Sequence, residues 1–373
     1  MPAIETRRPA AWLSANDCDV SDLAPSLTNV DDYPLADSVL DDVLVYSGEK
    51  LADDRRELMA EWARAFLDGP GIVVIRRAFP EAAVVDRVSA AFDAMIAEQP
   101  AGGDHFARPG ANDRVWNALE KLALRDPEAF AAYYANDVIA LAATAWLGPA
   151  YQVTSQVNVV NPGGAAQTGH RDYHLGFMSA EQAERYPALV HRLSPALTLQ
   201  GAVAHCDMPV ESGPTMYLPH SQKYPLGYLA TSRPEFQEHF AAHHVQLPLE
   251  KGDAVFFNPA LIHAAGHNRS ADIRRMANLL QISSAFGRAM ESVDRERMCL
   301  ALYPVLRELA DPENVIAASA EGYAFPTDLD VDQPVDGLAP PSQADVVRRA
   351  LAEGWDLDTV RGALAAHSSR RGN

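Results

Sequence analysis

Cysteine is scarce in this chain of 373 residues. Cys18, Cys206 and Cys299 stand far apart, and no CxxC pair occurs. Their scarcity excludes a structural zinc site of ordinary spacing and a disulfide framework, and it suits a reducing cytoplasm. Long apolar runs are missing too. Nothing approaches the roughly 18 consecutive apolar residues of a membrane span. The opening MPAIETRRPAAWLSANDCDV has no continuous apolar stretch of the kind a signal peptide needs. Positive charge is in deficit, with 31 Lys and Arg against 50 Asp and Glu and a net charge of −19. Such a surface repels phosphate backbones and anionic lipid heads, so neither nucleic acid nor a membrane is an expected partner. Internal repeats and low-complexity blocks are also absent. The expectation is a soluble cytoplasmic protein acting on a small molecule. With 48% apolar residues it has enough for one large core.

Residues 1–50 are polar, acidic and without clear periodicity, and read as an N-terminal extension lying on the surface or partly disordered. Residues 51–373 read as a single domain. A helical pattern from Leu51 stops near Gly69-Pro70-Gly71, and Ile72-Val73-Val74-Ile75 follows as a buried strand. After Pro80, the residues Val84, Val88, Phe92 and Met95 recur at helical spacing. The texture changes near Tyr151. From 151 to about 284, short strands alternate with Gly/Pro turns, with candidates at 151–160, 173–177, 196–206, 215–218, 244–249, 254–257 and 276–282. So many short strands suggest a barrel or sandwich, flanked by helices before and after. Ser342 and Asp345 form a capping box for a last helix, with a loose tail after it.

The chemistry concentrates in NPGGAAQTGHRDYHLGF. His170 and Asp172 are two apart, a spacing that puts both side chains on one face of a strand. An imidazole and a carboxylate there are two legs of a facial triad. His263, in FFNPALIHAAGHNRS, supplies the third from a distant strand. Two histidines and a carboxylate leave three positions on a non-haem iron open for a bidentate cosubstrate and dioxygen. A dicarboxylate cosubstrate needs a guanidinium for its far end, because a planar fork binds carboxylate through two parallel hydrogen bonds. Arg274 follows His263 by eleven residues at the start of the next predicted strand. Arg275 points to the opposite face, so only one of the two can serve, and Arg269 lies closer but in a turn.

These segments resemble the phytanoyl-CoA dioxygenase family of iron(II)- and 2-oxoglutarate-dependent oxygenases. The similarity is carried by GIVVIRRAFPEAAVVDRVSAAFDAMI, by HRD with its downstream YHLGF, by DMPVESGPTMYLPHSQKY and by KGDAVFFNPALIHAAGHNRSADIRR. It spans residues 71 to about 282. The resemblance implies an α+β protein with a double-stranded β-helix (jelly-roll, cupin-like) core at about 151–284. It implies Fe(2+) on His170, Asp172 and His263, 2-oxoglutarate on Arg274, and further cosubstrate contacts from Asn158 and Gln156 on the strand TSQVNVV. It also implies use of O2 to hydroxylate an unactivated C–H bond, with release of succinate and CO2. An intact carboxylate at Asp172 favours hydroxylation, or a related desaturation or cyclisation, over halogenation. Two other classes compete: a cupin-type isomerase or lyase, and a catalytically silent binding protein on the same scaffold.

Several other residues invite a functional role. A second HxD, His205-Cys206-Asp207, reads as structural because the GPTMYLPHS turn follows it, as the resemblance to the family implies for a structural position. His174 reads as a buried hydrogen-bonded histidine, His220 as a turn residue, and Met216 and Tyr217 as core. The segment RPGANDR at 108–114 reads as a solvated loop or a lid.

Overall fold

A computed structural model describes residues 11–23, 26–51, 54–99 and 111–371. Eleven strands are present among them. They are β1 (Ser38–Leu40), β2 (Val43–Ser47), β3 (Ile72–Arg76), β4 (Asn112–Val115), β5 (Gln152–Val160), β6 (Thr198–Ala204), β7 (Met216–Tyr217), β8 (Val245–Gln246), β9 (Ala254–Phe257), β10 (His263–Ala264) and β11 (Arg275–Ser283). Eight of them form one sheet in the order β1-β2-β3-β9-β6-β11-β5-β4, and a small second sheet runs β10-β7-β8. Among the described residues only the β2–β3 pair is parallel.

The period-2 pattern of each strand divides the large sheet into two faces. On β5, Val153, Val157 and Val159 point to the main core, while Gln156, Asn158 and Val160 point to a cavity. On β11, Met276, Leu280 and Ile282 face the core, while Arg275, Ala277, Leu279 and Gln281 face the cavity. Helices cover the core face. Arg55–Leu67 brings Trp62 and Phe66, and Ala82–Glu98 brings Val85, Val88, Phe92 and Met95, all from one stripe of each helix. Each such fully buried side chain contributes about 1.5–3 kcal/mol. The opposite face packs Val43, Val45, Val74, Val255 and Phe257 against Tyr217, Leu247 and Leu261 of the small-sheet side. The cavity therefore lies between the two sheets.

Three local readings change. Residues 38–47 are not a surface extension: β2 pairs in register with β3, and Val43–Tyr46 are buried. A five-residue run without alternation reads as featureless in sequence, but a strand buried on both faces has that texture. Residues 173–177 are not a strand, because Leu175–Phe177 is a short 3-10 turn. Residues 367–371 of the tail belong to helix Leu357–Arg371, where Arg371 Nε donates to Pro326 O, and residues 372–373 lie outside the described residues. The capping box of Ser342 and Asp345 is present, opening helix Gln343–Glu353.

Candidate metal centre

The carboxylate and the two imidazoles meet in the lining of the cavity. Ligand atoms of His170, Asp172 and His263 all lie within 4.8 Å of one another. His170 Nε2 is 3.8 Å from Asp172 Oδ1, and His263 Nε2 is 3.4 Å from Asp172 Oδ2. The spacing in sequence works without a regular strand. His170 and His263 form an isolated antiparallel bridge, with each backbone N–H donating to the other's carbonyl at 3.0 Å. Asp172 is held by its own N–H on Pro259 O at 3.1 Å.

Each imidazole is oriented from behind. His170 Nδ1 lies 2.9 Å from Thr168 O, and His263 Nδ1 lies 2.9 Å from Leu261 O. A carbonyl only accepts, so Nδ1 carries the proton and Nε2 is left with a lone pair toward the common point. Tyr217 stacks on the His263 ring at 6.4 Å and Phe257 meets it edge-on at 4.8 Å. Gln200 Nε2 donates to Asp172 Oδ2 at 2.6 Å. Burial works to raise the Asp172 carboxyl, but His263, then His170 and Gln200, outweigh it and hold it at about 2. Burial, followed by the charge of His263, pushes His170 down, which keeps its imidazole neutral further into the acid range. Both shifts favour the ligating protonation states.

The loop before His170 is clamped. Gln237 takes Gly169 N–H on its Oε1 at 3.0 Å and donates Nε2 to Gly169 O at 2.7 Å. The Phe240 ring lies where a Cβ on Gly169 would be, at 2.8 Å.

The cavity has a volume of about 930 Å³ and contains the triad, Asn158, Gln156, Gln200 and Arg275. Arg274 does not line it, which corrects the expectation from the eleven-residue offset. The Arg274 side chain is 47% exposed, with Asp93 at 3.3 Å and Asp113 at 3.9 Å. Arg275 is 6% exposed and pairs in register with the cavity-lining Val160. Adjacent strand residues face opposite ways, so with Arg275 on the cavity face Arg274 points away from it. Among the described residues, no carboxylate pairs with Arg275. Burial lowers its guanidinium to about 10, which leaves it charged at neutral pH.

Asn158 sits one cavity-facing rung along from the Val160–Arg275 pair, and its Oδ1 is buried without a partner among the described residues. Gln156 accepts from Arg114 Nη1 at 3.0 Å and approaches Met290 Sδ through Nε2 at 3.3 Å. Arg114 and Trp116 also line the cavity. Of the segment 108–114, residues 108–110 lie outside the described residues.

His205 is on the opposite face of the sheet, 5% exposed, between Ser89 Oγ at 2.8 Å and Tyr133 OH at 3.0 Å. The second HxD is therefore not part of the cluster. His174 is half-buried. His220 is a turn residue with a positive φ of 67°, bonded to Thr28 and Lys223. Gln200 and Gln281 escaped the sequence reading, their only signal being a polar residue at a core-like position of an apolar strand; Tyr217, read as core, is core and also stacks on His263.

A family profile described as phytanoyl-CoA dioxygenase matches residues 67–276, more than half of the chain. No curated protein matches. Among solved structures, the chain is similar to SnoK, a non-heme alpha ketoglutarate dependent carbocyclase from nogalamycin biosynthesis, at 20% identity and TM-score 0.47, covering 75% of this chain and 97% of that one. It is similar to the epimerase SnoN from the same biosynthesis at 19% identity and TM-score 0.42, covering 62% and 84%. HygX from Streptomyces hygroscopicus, with nickel and 2-oxoglutarate bound, matches at 14% identity and TM-score 0.42, covering 63% and 90%.

Proposed function

Since the chain belongs to the phytanoyl-CoA dioxygenase family, we propose that it is an iron(II)- and 2-oxoglutarate-dependent oxygenase that hydroxylates an unactivated C–H bond of a small molecule. The observation that carries this reading is the pairing of two features in one cavity: three oriented ligand atoms within 4.8 Å of one another, and a buried guanidinium with no carboxylate partner among the described residues. A cupin-type isomerase or lyase needs the first and not the second. The two sheets flanking the cavity are read as the double-stranded β-helix of such enzymes.

His170, Asp172 and His263 would hold the iron. Arg275 would take the far carboxylate of 2-oxoglutarate through two parallel hydrogen bonds, with the Asn158 amide beside it. Gln156, already engaged with Arg114, is a more distant contact. Iron with 2-oxoglutarate and dioxygen supplies the oxidant for C–H cleavage, with succinate and CO2 as co-products. The chain's own contribution is orientation. Thr168 O and Leu261 O hold the imidazoles in the ligating tautomer, and Gln200 fixes the Asp172 carboxylate. Tyr217 and Phe257 wall off His263, leaving it 6% exposed. The three cysteines are free thiols, in keeping with a cytoplasmic setting. No helix of the described residues is long and apolar enough to cross a membrane.

The test is anaerobic addition of iron(II) and 2-oxoglutarate to the full chain. A weak visible charge-transfer band is expected only when both are present. Absence of the band, together with no calorimetric binding of 2-oxoglutarate to the iron form, refutes the reading.

A further inference from the structure

The cavity is longer than a five-carbon dicarboxylate requires. From Arg275, the cavity face of β11 runs through Ala277 and Leu279 to Gln281. At a rise of about 3.3 Å per residue, Gln281 lies about 20 Å along the strand from Arg275. Its neighbours across the sheet are Thr154 on β5 and Gln200 on β6, in direct register and both uncharged. Gln200 is the residue that holds Asp172, so the Gln281 end of the cavity adjoins the metal ligands. Gln281 Oε1 is buried and has no hydrogen-bond partner among the described residues.

Three further lining residues carry an aromatic ring or a thioether. Tyr173 lies 2% exposed beneath two more exposed side chains, Phe177 at a ring separation of 5.2 Å and Met290, whose Sδ accepts from Tyr173 OH at 2.7 Å. Phe177 is 58% exposed and Met290 39%. Met290 also touches Gln156, one cavity-facing rung from Gln281.

Resting on the oxygenase reading, which assigns the Arg275 end to the cosubstrate, we propose that the Gln281 end is the substrate pocket. It takes a neutral ring compound bearing a hydroxyl, with the Gln281 amide as its polar anchor and Tyr173, Phe177 and Met290 against its flat face. A primary amide offers both donors and an acceptor, and a hydroxyl is both at once, so the two match in either amide orientation. A carboxylate or phosphate would find no such match. Arg275 is at the other end, Arg114 is engaged with Gln156 and lies over Trp116 at 4.9 Å, and an ion buried beside uncharged amides loses its hydration without replacement. Aromatic rings and a thioether favour a flat apolar partner.

Three matched probes test this: 2-naphthol, 2-methylnaphthalene and 2-naphthoate. Their binding to the anaerobic, iron(II)- and 2-oxoglutarate-loaded full chain is measured by equilibrium dialysis. 2-Naphthol is expected to bind about fivefold more tightly than 2-methylnaphthalene, as one hydrogen bond provides, and more tightly still than 2-naphthoate. Gln281→Leu should erase the preference for 2-naphthol over 2-methylnaphthalene while leaving 2-methylnaphthalene unchanged. Gln281→Met replaces it if the leucine variant fails to fold. Tightest binding of 2-naphthoate, equal binding of all three probes, no binding of any, or a preference that survives in the variant each overturns the proposal. The visible band read on the same samples separates the two levels. Band present with the probes failing defeats the pocket alone. Band absent defeats the oxygenase reading, and the same dialysis on the metal-free chain still decides the pocket.

Discussion

Replacing Arg275 with lysine should damage 2-oxoglutarate binding, and replacing Arg274 should not. The two residues are neighbours with the same charge, so the comparison isolates placement. Arg275 is 6% exposed, faces the cavity and has no carboxylate partner among the described residues. Arg274 is 47% exposed beside Asp93 and Asp113. Lysine at 275 keeps a charge but loses one of two parallel charge-assisted hydrogen bonds, worth about 2 kcal/mol, or roughly thirtyfold in Kd. Alanine leaves the bound carboxylate without a counter-charge and should cost about 3–4 kcal/mol, or several hundredfold. Arg274→Lys perturbs only an exposed pair, so it should change Kd by less than about fivefold. A second consequence separates binding from folding. A buried, uncompensated cation is a burden on the empty chain, so Arg275→Ala should melt no lower than the parent without 2-oxoglutarate, and should lose the stabilisation that 2-oxoglutarate confers on the parent. The assays are anaerobic titration of the iron(II) form, followed by calorimetry and by the visible band, and thermal melts with and without cosubstrate. If Arg274→Lys weakens 2-oxoglutarate more than Arg275→Lys does, or if both stay within twofold of the parent, the assignment is wrong.

Three further outcomes are expected. His170→Ala or His263→Ala should reduce metal affinity by more than roughly a hundredfold, and Gln200→Leu by roughly 10- to 100-fold through release of Asp172, while His205→Ala leaves it unchanged; metal titration by calorimetry distinguishes them, and loss of metal in His205→Ala would move the site to the other HxD. Burial depresses His205 to about 3 from an ordinary 6.5, so the unfolded chain binds its proton first as pH falls: stability is intact above 6.5 and is lost as pH falls toward 3, by about 2 kcal/mol between pH 7.5 and 5, and denaturant titrations of His205→Gln should show a correspondingly shallower slope than the parent. Gly169→Ala should cost about 1–3 kcal/mol in denaturant midpoint and weaken metal binding, because the new methyl meets the Phe240 ring one residue from His170; a variant with parental metal affinity would show that the Gln237 clamp does not position that ligand.

The parts legible in sequence are those in which one short-range pattern decides the outcome. β5, β9 and β11 are readable from their β-branched and alternating residues, and His170, Asp172 and His263 from their side-chain chemistry. What resisted reading depends on parity or on distant partners. The sequence places Arg274 and Arg275 correctly on opposite faces, but which face is the cavity is set by the turn before β11, and no local residue reports that. The two-residue spacing of His170 and Asp172 suggests a strand, whereas the chain there is irregular and pinned by His263, Pro259 and Gln237. Gln200 becomes meaningful only once β6 lies beside Asp172, since a glutamine between apolar neighbours has no signature of its own. Tyr217 reads as core and is core, and it also stacks on the His263 ring.

The parallel pairing of β2 with β3 bears on how the chain can be shortened. Trimming to residue 50, where the sequence invites a cut, would remove Val43–Tyr46 and leave Ile72–Arg76 as the rim of the large sheet. Four of those five residues are fully buried and uncharged, and the one charge, Arg76, is already paired with Asp253 at 2.6 Å. An exposed row of unpaired amides on Ile-Val-Val-Ile is a template for another copy of itself. The shortened protein should therefore precipitate or form β-rich aggregates although His170, Asp172 and His263 are untouched, whereas a cut at residue 26 spares that strand and should not form such β-rich aggregates.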